Sequence, residues 1–295
     1  MKKAVCFGEI LWDLFPEGKK LGGAPLNVAN RMAQNGVSTA IISAIGQDDL
    51  GQEIERELTK LPVRSLLQVH PQLPTGTVQV SLDKKGAASY TITQPVAWDA
   101  IRLQTEIETQ VQNSDCLVFG SLVTRNEVSR KTLDALLPLS SFNVFDINLR
   151  PPHYKLEGLF YLMKKADLIK LNDEELVEIT ASQGLSFLDV ESQIQWLATH
   201  TQTDQICVTL GEKGAVWYTE KRFIYQSGFP VIVADTVGAG DSFLGTLLSG
   251  ILTSESTENT LAKACAMGSL VASKTGANPL VTGKELKLIL NSISP

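Results

Sequence analysis

Short apolar runs alternate along most of this 295-residue chain with segments long enough to form helices. Strands are predicted at 3–8, 40–45, 116–119, 144–147, 168–171 and 206–210, and helices at 26–34, 50–61 and 128–137. The strand-length runs are apolar without strict alternation, which is typical of strands buried on both faces. The rhythm therefore predicts a mostly parallel sheet with helices on both sides, a three-layer α/β/α fold.

One stretch departs from that rhythm. Residues 75–82 and 87–93 are rich in β-formers and flank the turn sequence Asp83-Lys84-Lys85-Gly86, which predicts a hairpin. Together with a strand-like run at 11–15, they predict a small antiparallel sheet that covers a ligand or a partner as a lid. The alternative is a β-rich extension of the main sheet.

The C-terminal third is predicted to hold a strand at 231–234 and helices at 241–252, 261–274 and 283–290. No linker or internal repeat interrupts the chain. The expected organisation is one α/β core formed by residues 1–10, 25–73 and 98–295, with the lid inserted at 11–24 and 74–97.

Composition narrows the class of protein. A formal net charge of −6 without a Lys/Arg cluster argues against a nucleic-acid partner. The apolar run at the N-terminus ends at Gly8, too short for a signal peptide, and no run approaches the roughly 18 residues that span a bilayer. The four cysteines lack metal-ligand spacing, so we expect buried free thiols and a cytoplasmic protein.

The most informative motif is the run DTVGAGD at 235–241. Its two glycines permit a tight turn, and the helix that comes next directs its positive end at the turn, which suits a phosphate. Asp241 would repel that anion if binding were its only role, but it is suited to accept a proton from an attacking hydroxyl.

Three alternative roles for this motif are less well supported. Asp241 could simply cap a helix. A dinucleotide-binding loop would need a third glycine, and Phe243 stands at that position. A Walker A loop is excluded because the chain contains no such sequence.

The run at 235–241 resembles the C-terminal signature of the ribokinase-like (PfkB) carbohydrate kinases, and GGAPLNVA at 22–29 resembles their N-terminal Gly-Gly signature. The order, the spacing of over 200 residues and the expected lid agree with that family along nearly the whole chain. The resemblance implies a ribokinase-like fold and a kinase that transfers the γ-phosphate of ATP to a sugar.

The resemblance also implies roles for individual residues. Asp241 is the expected base, beside an anion hole formed by Gly238, Ala239 and Gly240. The expected sugar-binding residues are Asp13, Gly22, Gly23, Asn27 and Arg150, the last from the run DINLR at 146–150. Nucleotide contacts are expected from Asn172, Thr209, Gly211, Gly214, Gly276, Ala277 and Asn278. Glu175 would organise Mg²⁺ through water, and Asp235 would hold a monovalent cation such as K⁺.

Many of these residues could instead have a purely structural role. Asp13 could be a solvated turn aspartate, Asn27 a helix N-terminal residue and Arg150 a helix-entry arginine. Glu175 fits an acidic first helical turn. The loop containing Gly211 and Gly214 could be an ordinary hairpin turn.

The resemblance also indicates which sugar is the substrate. Family members that act on phosphorylated sugars, and ribokinases, tend to carry a lysine after the Gly-Gly pair, where this chain has Ala24-Pro25. With the early Gly8-Glu9 and the run at 146–150, the chain looks most like a fructokinase. D-fructose is the expected substrate, with ribose, 2-keto-3-deoxygluconate or a nucleoside as alternatives.

The lid is also expected to pair two subunits in a homodimer. A catalytically inactive sugar-binding regulator and an NAD-dependent oxidoreductase are the competing classes.

Overall fold

A computed structural model describes residues 1–16, 18–82, 88–186 and 189–292. Its strands are β1 Lys3–Phe7, β2 Leu11–Phe15, β3 Gly18–Gly22, β4 Ser38–Gly46, β5 Arg64–His70, β6 Gly76–Leu82, β7 Ala88–Ile92, β8 Cys116–Gly120, β9 Asn143–Asp146, β10 Leu168–Asn172, β11 Gln205–Thr209, β12 Ala215–Thr219 and β13 Arg222–Gln226. Its α-helices are α1 Ala24–Gln34, α2 Asp49–Leu58, α3 Thr105–Gln112, α4 Glu127–Leu136, α5 Leu156–Met163, α6 Asp173–Ala181, α7 Val190–Thr201, α8 Ala239–Leu252, α9 Thr257–Ala272 and α10 Gly283–Asn291.

The main sheet has nine strands in the order β13-β12-β11-β10-β9-β8-β1-β4-β5. Neighbours from β11 to β5 are parallel, and the hairpin of β12 and β13 adds an antiparallel edge. Strand β1 lies between β4 and β8, so the chain winds outward in both directions from that point. Ligands of such sheets bind beyond the carboxyl ends of the strands near this switch.

Two apolar cores cover the two faces of the sheet. On β1, Val5 and Phe7 belong to the core shared with α3 to α7, whereas Ala4 and Cys6 belong to the core shared with α1, α2 and α8 to α10. Alternation along each strand therefore divides the apolar side chains between two helical layers. The three-layer architecture predicted from the sequence is confirmed.

A second sheet of four strands, in the order β3-β2-β6-β7, lies apart from the main one. It consists of two antiparallel pairs, β2 with β3 and β6 with β7, joined by parallel pairing of β2 with β6. The predicted hairpin strands are present, while the predicted turn at 83–86 lies outside the described residues.

The predicted strand at 231–234 is wrong. Ile232 and Val233 are 91% and 60% exposed, and no described strand pairs with this segment. The backbone N–H of Ala234 instead donates to the carbonyl of Ala272 at the end of α9, at 2.8 Å. Strands β3, β5, β12 and β13 were not predicted.

All four cysteines are buried free thiols, as predicted. Within the described ranges, no helix combines the length and the apolar character that crossing a membrane requires.

Candidate active site

The DTVGAGD run forms a turn at the N-terminus of α8. Gly238 is the N-cap with a left-handed φ of 76°, and a Cβ there would overlap the Ala277 carbonyl oxygen. Only glycine combines that backbone geometry with so close an approach. Helix α8 begins at Ala239, so Asp241 lies in its first turn and the positive end of the helix faces the same region.

Asp241 is half-buried and bonded to a residue from the other end of the chain. The Asn27 side-chain amide on α1 donates to Asp241 Oδ2 at 2.7 Å. Burial, and next the negative charge of Asp146, raise the pKa of Asp241 to about 6, against the Asn27 hydrogen bond and the charges of Lys170 and Arg150. The carboxylate therefore remains mostly ionised at neutral pH while binding a proton more readily than an exposed aspartate.

Asp13 projects from β2, opposite Lys20 on β3. A Cβ at Gly22 would overlap Asp13 Oδ2, so the glycine makes room for this carboxylate. Burial raises the pKa of Asp13 to about 6, the charges of Arg150 and Lys20 lower it, and the charge of Asp241 adds to the rise. Asp13 and Asp241 therefore share one electrostatic environment.

Gly23 and Arg150 complete this side of the site. Gly23 is the N-cap of α1 and lies directly against the backbone of Glu9. Arg150 comes after β9 and is exposed, with its guanidinium donating to the Leu149 carbonyl at 2.9 Å. Its charge lowers the pKa values of Glu9, Asp13 and Asp241, which indicates that it faces all three carboxyl groups.

A cleft of about 810 Å³ opens beside the signature turn. It brings together four of the predicted nucleotide-contact residues, Asn172, Thr209, Gly211 and Gly214, with Ala239 and Gly240 of the turn. Its apolar wall includes Phe229, Val231, Val233, Phe243 and Ala272. The exposed 231–234 segment thus lines this cleft instead of joining the sheet.

The segment 276–278, predicted to contact the nucleotide, lies outside the lining of this cleft. None of its three residues is among the described residues that line the cleft. The Gly276 N–H donates to Asp235 Oδ2 at 3.0 Å, Ala277 packs against Gly238, and the Asn278 amide donates to Asn27 Oδ1. The segment supports the turn and Asn27 from behind.

The two predicted metal-site residues are engaged with backbone groups. Asp235 accepts from the N–H groups of Val237 and Gly276, each at 3.0 Å. Glu175, only 7% exposed, accepts from the N–H groups of Leu149 and Asn172 at 2.8 and 2.9 Å and forms the capping box of α6. No cluster of three or more His, Cys, Asp or Glu residues suited to a metal ion occurs in the described part of the chain.

Sequence reasoning missed Glu9 and Lys170. Burial raises the pKa of Glu9 to about 7, despite the charge of Arg150, and one of its carboxylate oxygens is buried without a partner in the structure. Lys170 is 6% exposed and donates to Asp146 Oδ1 at 3.0 Å. A signal existed for Lys170, because a lysine interrupts the apolar strand at 168–171, and a buried charge requires a partner.

Comparison with known proteins relates nearly the whole chain to one family. A family profile described as "pfkB family carbohydrate kinase" matches residues 1–282. The fructokinase of Salmonella typhimurium is 28% identical over 298 residues, covering 93% of this chain and 94% of the relative.

Two solved structures also resemble the chain along nearly its full length. The fructokinase from Vibrio cholerae O395 bound to fructose, ADP and a calcium ion is 25% identical with a TM-score of 0.84, covering 98% of this chain and 99% of that one. An uncharacterised sugar kinase from Pyrococcus horikoshii in complex with ATP is 26% identical with a TM-score of 0.79, covering 97% of this chain and 99% of that one.

Proposed function

Because the chain belongs to the pfkB family of carbohydrate kinases, which are phosphotransferases that use ATP to phosphorylate a sugar, we propose that its acceptor is the 6-hydroxyl of D-fructose. The family and the kinase class predicted from the sequence are confirmed. The choice of sugar and the roles of individual residues are proposals.

One observation carries the assignment of the catalytic centre. The hydrogen bond between Asn27 and Asp241 joins two signatures that lie 214 positions apart in the chain. We infer that the carboxylate lies between two parts of the site, because its charge couples to Asp13 and Arg150 on one side and the preceding Ala239 and Gly240 line the cleft on the other. An acceptor sugar on the first side and ATP in the cleft would meet at Asp241.

That placement suits an in-line transfer of a phosphoryl group. The oxygen of the sugar hydroxyl attacks the γ-phosphorus, the bond to the β-phosphate oxygen breaks, and ADP leaves. Asp241 takes the hydroxyl proton, which requires its ionised form. Negative charge on the transferring phosphoryl oxygens faces Gly238, Ala239, Gly240 and the positive end of α8, where fixed dipoles stabilise it without reorganisation.

Mg²⁺ enters this scheme as part of the nucleotide substrate. The described residues provide no cluster of carboxylates for a resident ion, and both oxygens of Glu175 already accept backbone hydrogen bonds. An ion that keeps most of its waters and is held by phosphates fits such a site. Water-mediated contact with Glu175, and a monovalent cation beside Asp235, stay predictions.

The residues directly after the Gly22-Gly23 pair favour an unphosphorylated acceptor such as fructose. Ala24 and Pro25 form the first turn of α1, so this turn offers no side-chain cation to a phosphorylated acceptor. The relatives that are named fructokinases support the same choice. Ribose, 2-keto-3-deoxygluconate and nucleosides are the acceptors to test against it.

We further propose that the four-stranded sheet closes over the sugar as a lid and pairs with a second copy of the chain. Exclusion of water would limit wasteful hydrolysis of ATP. The sheet has two unpaired edges among its described strands, β3 and β7, and pairing between subunits would bury such an edge. Light scattering at micromolar concentration tests the dimer, and a monomer would reject that part alone.

The test of the function is ADP release from ATP and Mg²⁺ with a panel of acceptors, comprising D-fructose, ribose, 2-keto-3-deoxygluconate, a nucleoside and fructose 6-phosphate. D-fructose should give the highest kcat/KM, and the product should be fructose 6-phosphate. A higher kcat/KM with another acceptor would replace fructose. No sugar-dependent ADP release, with sugar and ATP still bound, would favour the inactive regulatory class.

A further inference from the structure

A buried ion pair lies beneath the signature turn. Lys170 on β10 and Asp146 on β9 are partners in parallel register, and Lys170 Nζ donates to Asp146 Oδ1 at 3.0 Å. Their exposed fractions are 6% and 3%. Neither residue has an assigned role in the proposed phosphoryl transfer, and the desolvation cost of burying such a pair can exceed its mutual attraction.

The position of the ammonium ties the pair to the catalytic centre. A Cβ built on Gly240 would lie 3.3 Å from Lys170 Nζ, so the cation lies against the backbone of the turn, one residue before Asp241. The other oxygen of Asp146 is buried without a partner in the structure. The two residues therefore do not satisfy all of each other's polar atoms, and their charges also act on neighbouring groups.

We propose that Lys170 is a positioning residue of the phosphoryl-transfer site, whose ammonium, held by Asp146 behind Gly240, provides fixed positive charge beneath the turn that receives the transferring phosphoryl group. The inference rests on the role proposed for Asp241. It explains why a lysine occupies the middle of an otherwise apolar strand.

The electrostatics around Asp241 agree with this geometry. The negative charge of Asp146 raises the pKa of Asp241, and the positive charge of Lys170 lowers it. The charged and titratable groups that face Asp241 are Glu9, Asp13, Asp146, Arg150 and Lys170. Removal of the two partners of the ion pair should therefore move the pKa of Asp241 in opposite directions.

Three variants test this proposal: Lys170→Met, Asp146→Asn and the double variant. The pKa of Asp241 is measured without turnover by a ¹³C NMR titration of protein labelled at aspartate carboxyl carbons, with Asp241→Asn identifying the resonance. Lys170→Met should raise that pKa by about one unit, and Asp146→Asn should lower it. Lys263→Met, which removes an α9 lysine from its ion pair with Glu255, is the matched control and should leave the pKa unchanged.

The double variant separates an electrostatic role from a structural one. It leaves no unpaired buried charge, so its thermal unfolding should resemble that of the wild type, and the opposite effects on Asp241 largely cancel. We expect its kcat to remain at least about tenfold below the wild type. This loss is smaller than the roughly 10²–10³ for removing a donor that contacts the oxyanion, because Lys170 lies behind the turn.

Two results would overturn the proposal: a pKa of Asp241 that does not respond to Lys170→Met, or wild-type kcat in the double variant. Failure of the proposed function is a separate observation, because a wild type that phosphorylates no sugar would still show the NMR titration.

Discussion

Replacement of Asp241 by asparagine should have opposite effects on catalysis and on stability. The amide matches the carboxylate in shape, and its oxygen can still accept the hydrogen bond that Asn27 donates at 2.7 Å. The substitution therefore preserves the geometry of the turn while removing the negative charge and the basic oxygen.

The expected catalytic effect comes from the loss of the proposed base. General-base catalysis by a positioned carboxylate contributes about 10²–10⁴ in rate. That factor corresponds to about 2.7–5.4 kcal/mol in the activation free energy. The loss should fall on kcat, with KM for ATP changing little, because Asp241 is not among the described residues that line the cleft proposed to bind ATP.

The stability effect comes from the burial of Asp241. Folding raises its pKa from 3.8 to about 6. A rise of about two units corresponds to about 3 kcal/mol by which the folded state is destabilised once the carboxyl group is ionised. The folded state binds this proton more tightly, so that loss of stability develops as the pH rises from about 4 through about 6. Asp241→Asn should remove it and stabilise the protein by about 1–3 kcal/mol at pH 8, and by nothing at pH 4.

The assay combines sugar-dependent ADP release with urea unfolding at both pH values. Asp189→Asn is the matched control, since Asp189 is the exposed N-cap of α7 and asparagine caps a helix equally well. It should leave kcat unchanged and should not stabilise the protein at pH 8, because folding lowers the pKa of Asp189 instead of raising it. A variant at Asp241 that keeps more than about a tenth of wild-type kcat would refute its role as the base. Lower stability at pH 8 would refute the electrostatic reasoning.

Three further outcomes are expected. Gly238→Ala should reduce the free energy of unfolding by at least about 1–2 kcal/mol, because the left-handed φ of 76° and the Ala277 carbonyl both oppose a Cβ; an unchanged urea midpoint would contradict this. Asp13→Asn should raise KM for the sugar about tenfold or more with KM for ATP unchanged, since a charged acceptor is lost; equal effects on both substrates in steady-state kinetics would argue against a sugar contact. The value of kcat/KM for the sugar should decline as the pH falls through about 6, where Asp241 and Asp13 become protonated; a profile flat to about pH 5 would show that neither carboxyl group must be ionised.

Local patterns in the sequence determined the layered fold and the position of the signature turn. Apolar periodicity depends on near neighbours along the chain, so it located most strands of the parallel sheet. The two glycines at 238 and 240 identified a tight turn at a helix start for the same reason. These predictions needed no knowledge of what lies across the sheet.

Hydrogen-bond partners and electrostatic environments were decided only by the tertiary structure. The contact between Asn27 and Asp241 joins residues 214 positions apart, and Lys170 is explained only by Asp146 on the neighbouring strand. The apolar run at 231–234 had the composition of a strand but no described strand to pair with. The energy of a charge or of a backbone donor depends on the groups that folding brings within a few ångströms, and sequence periodicity does not record those groups.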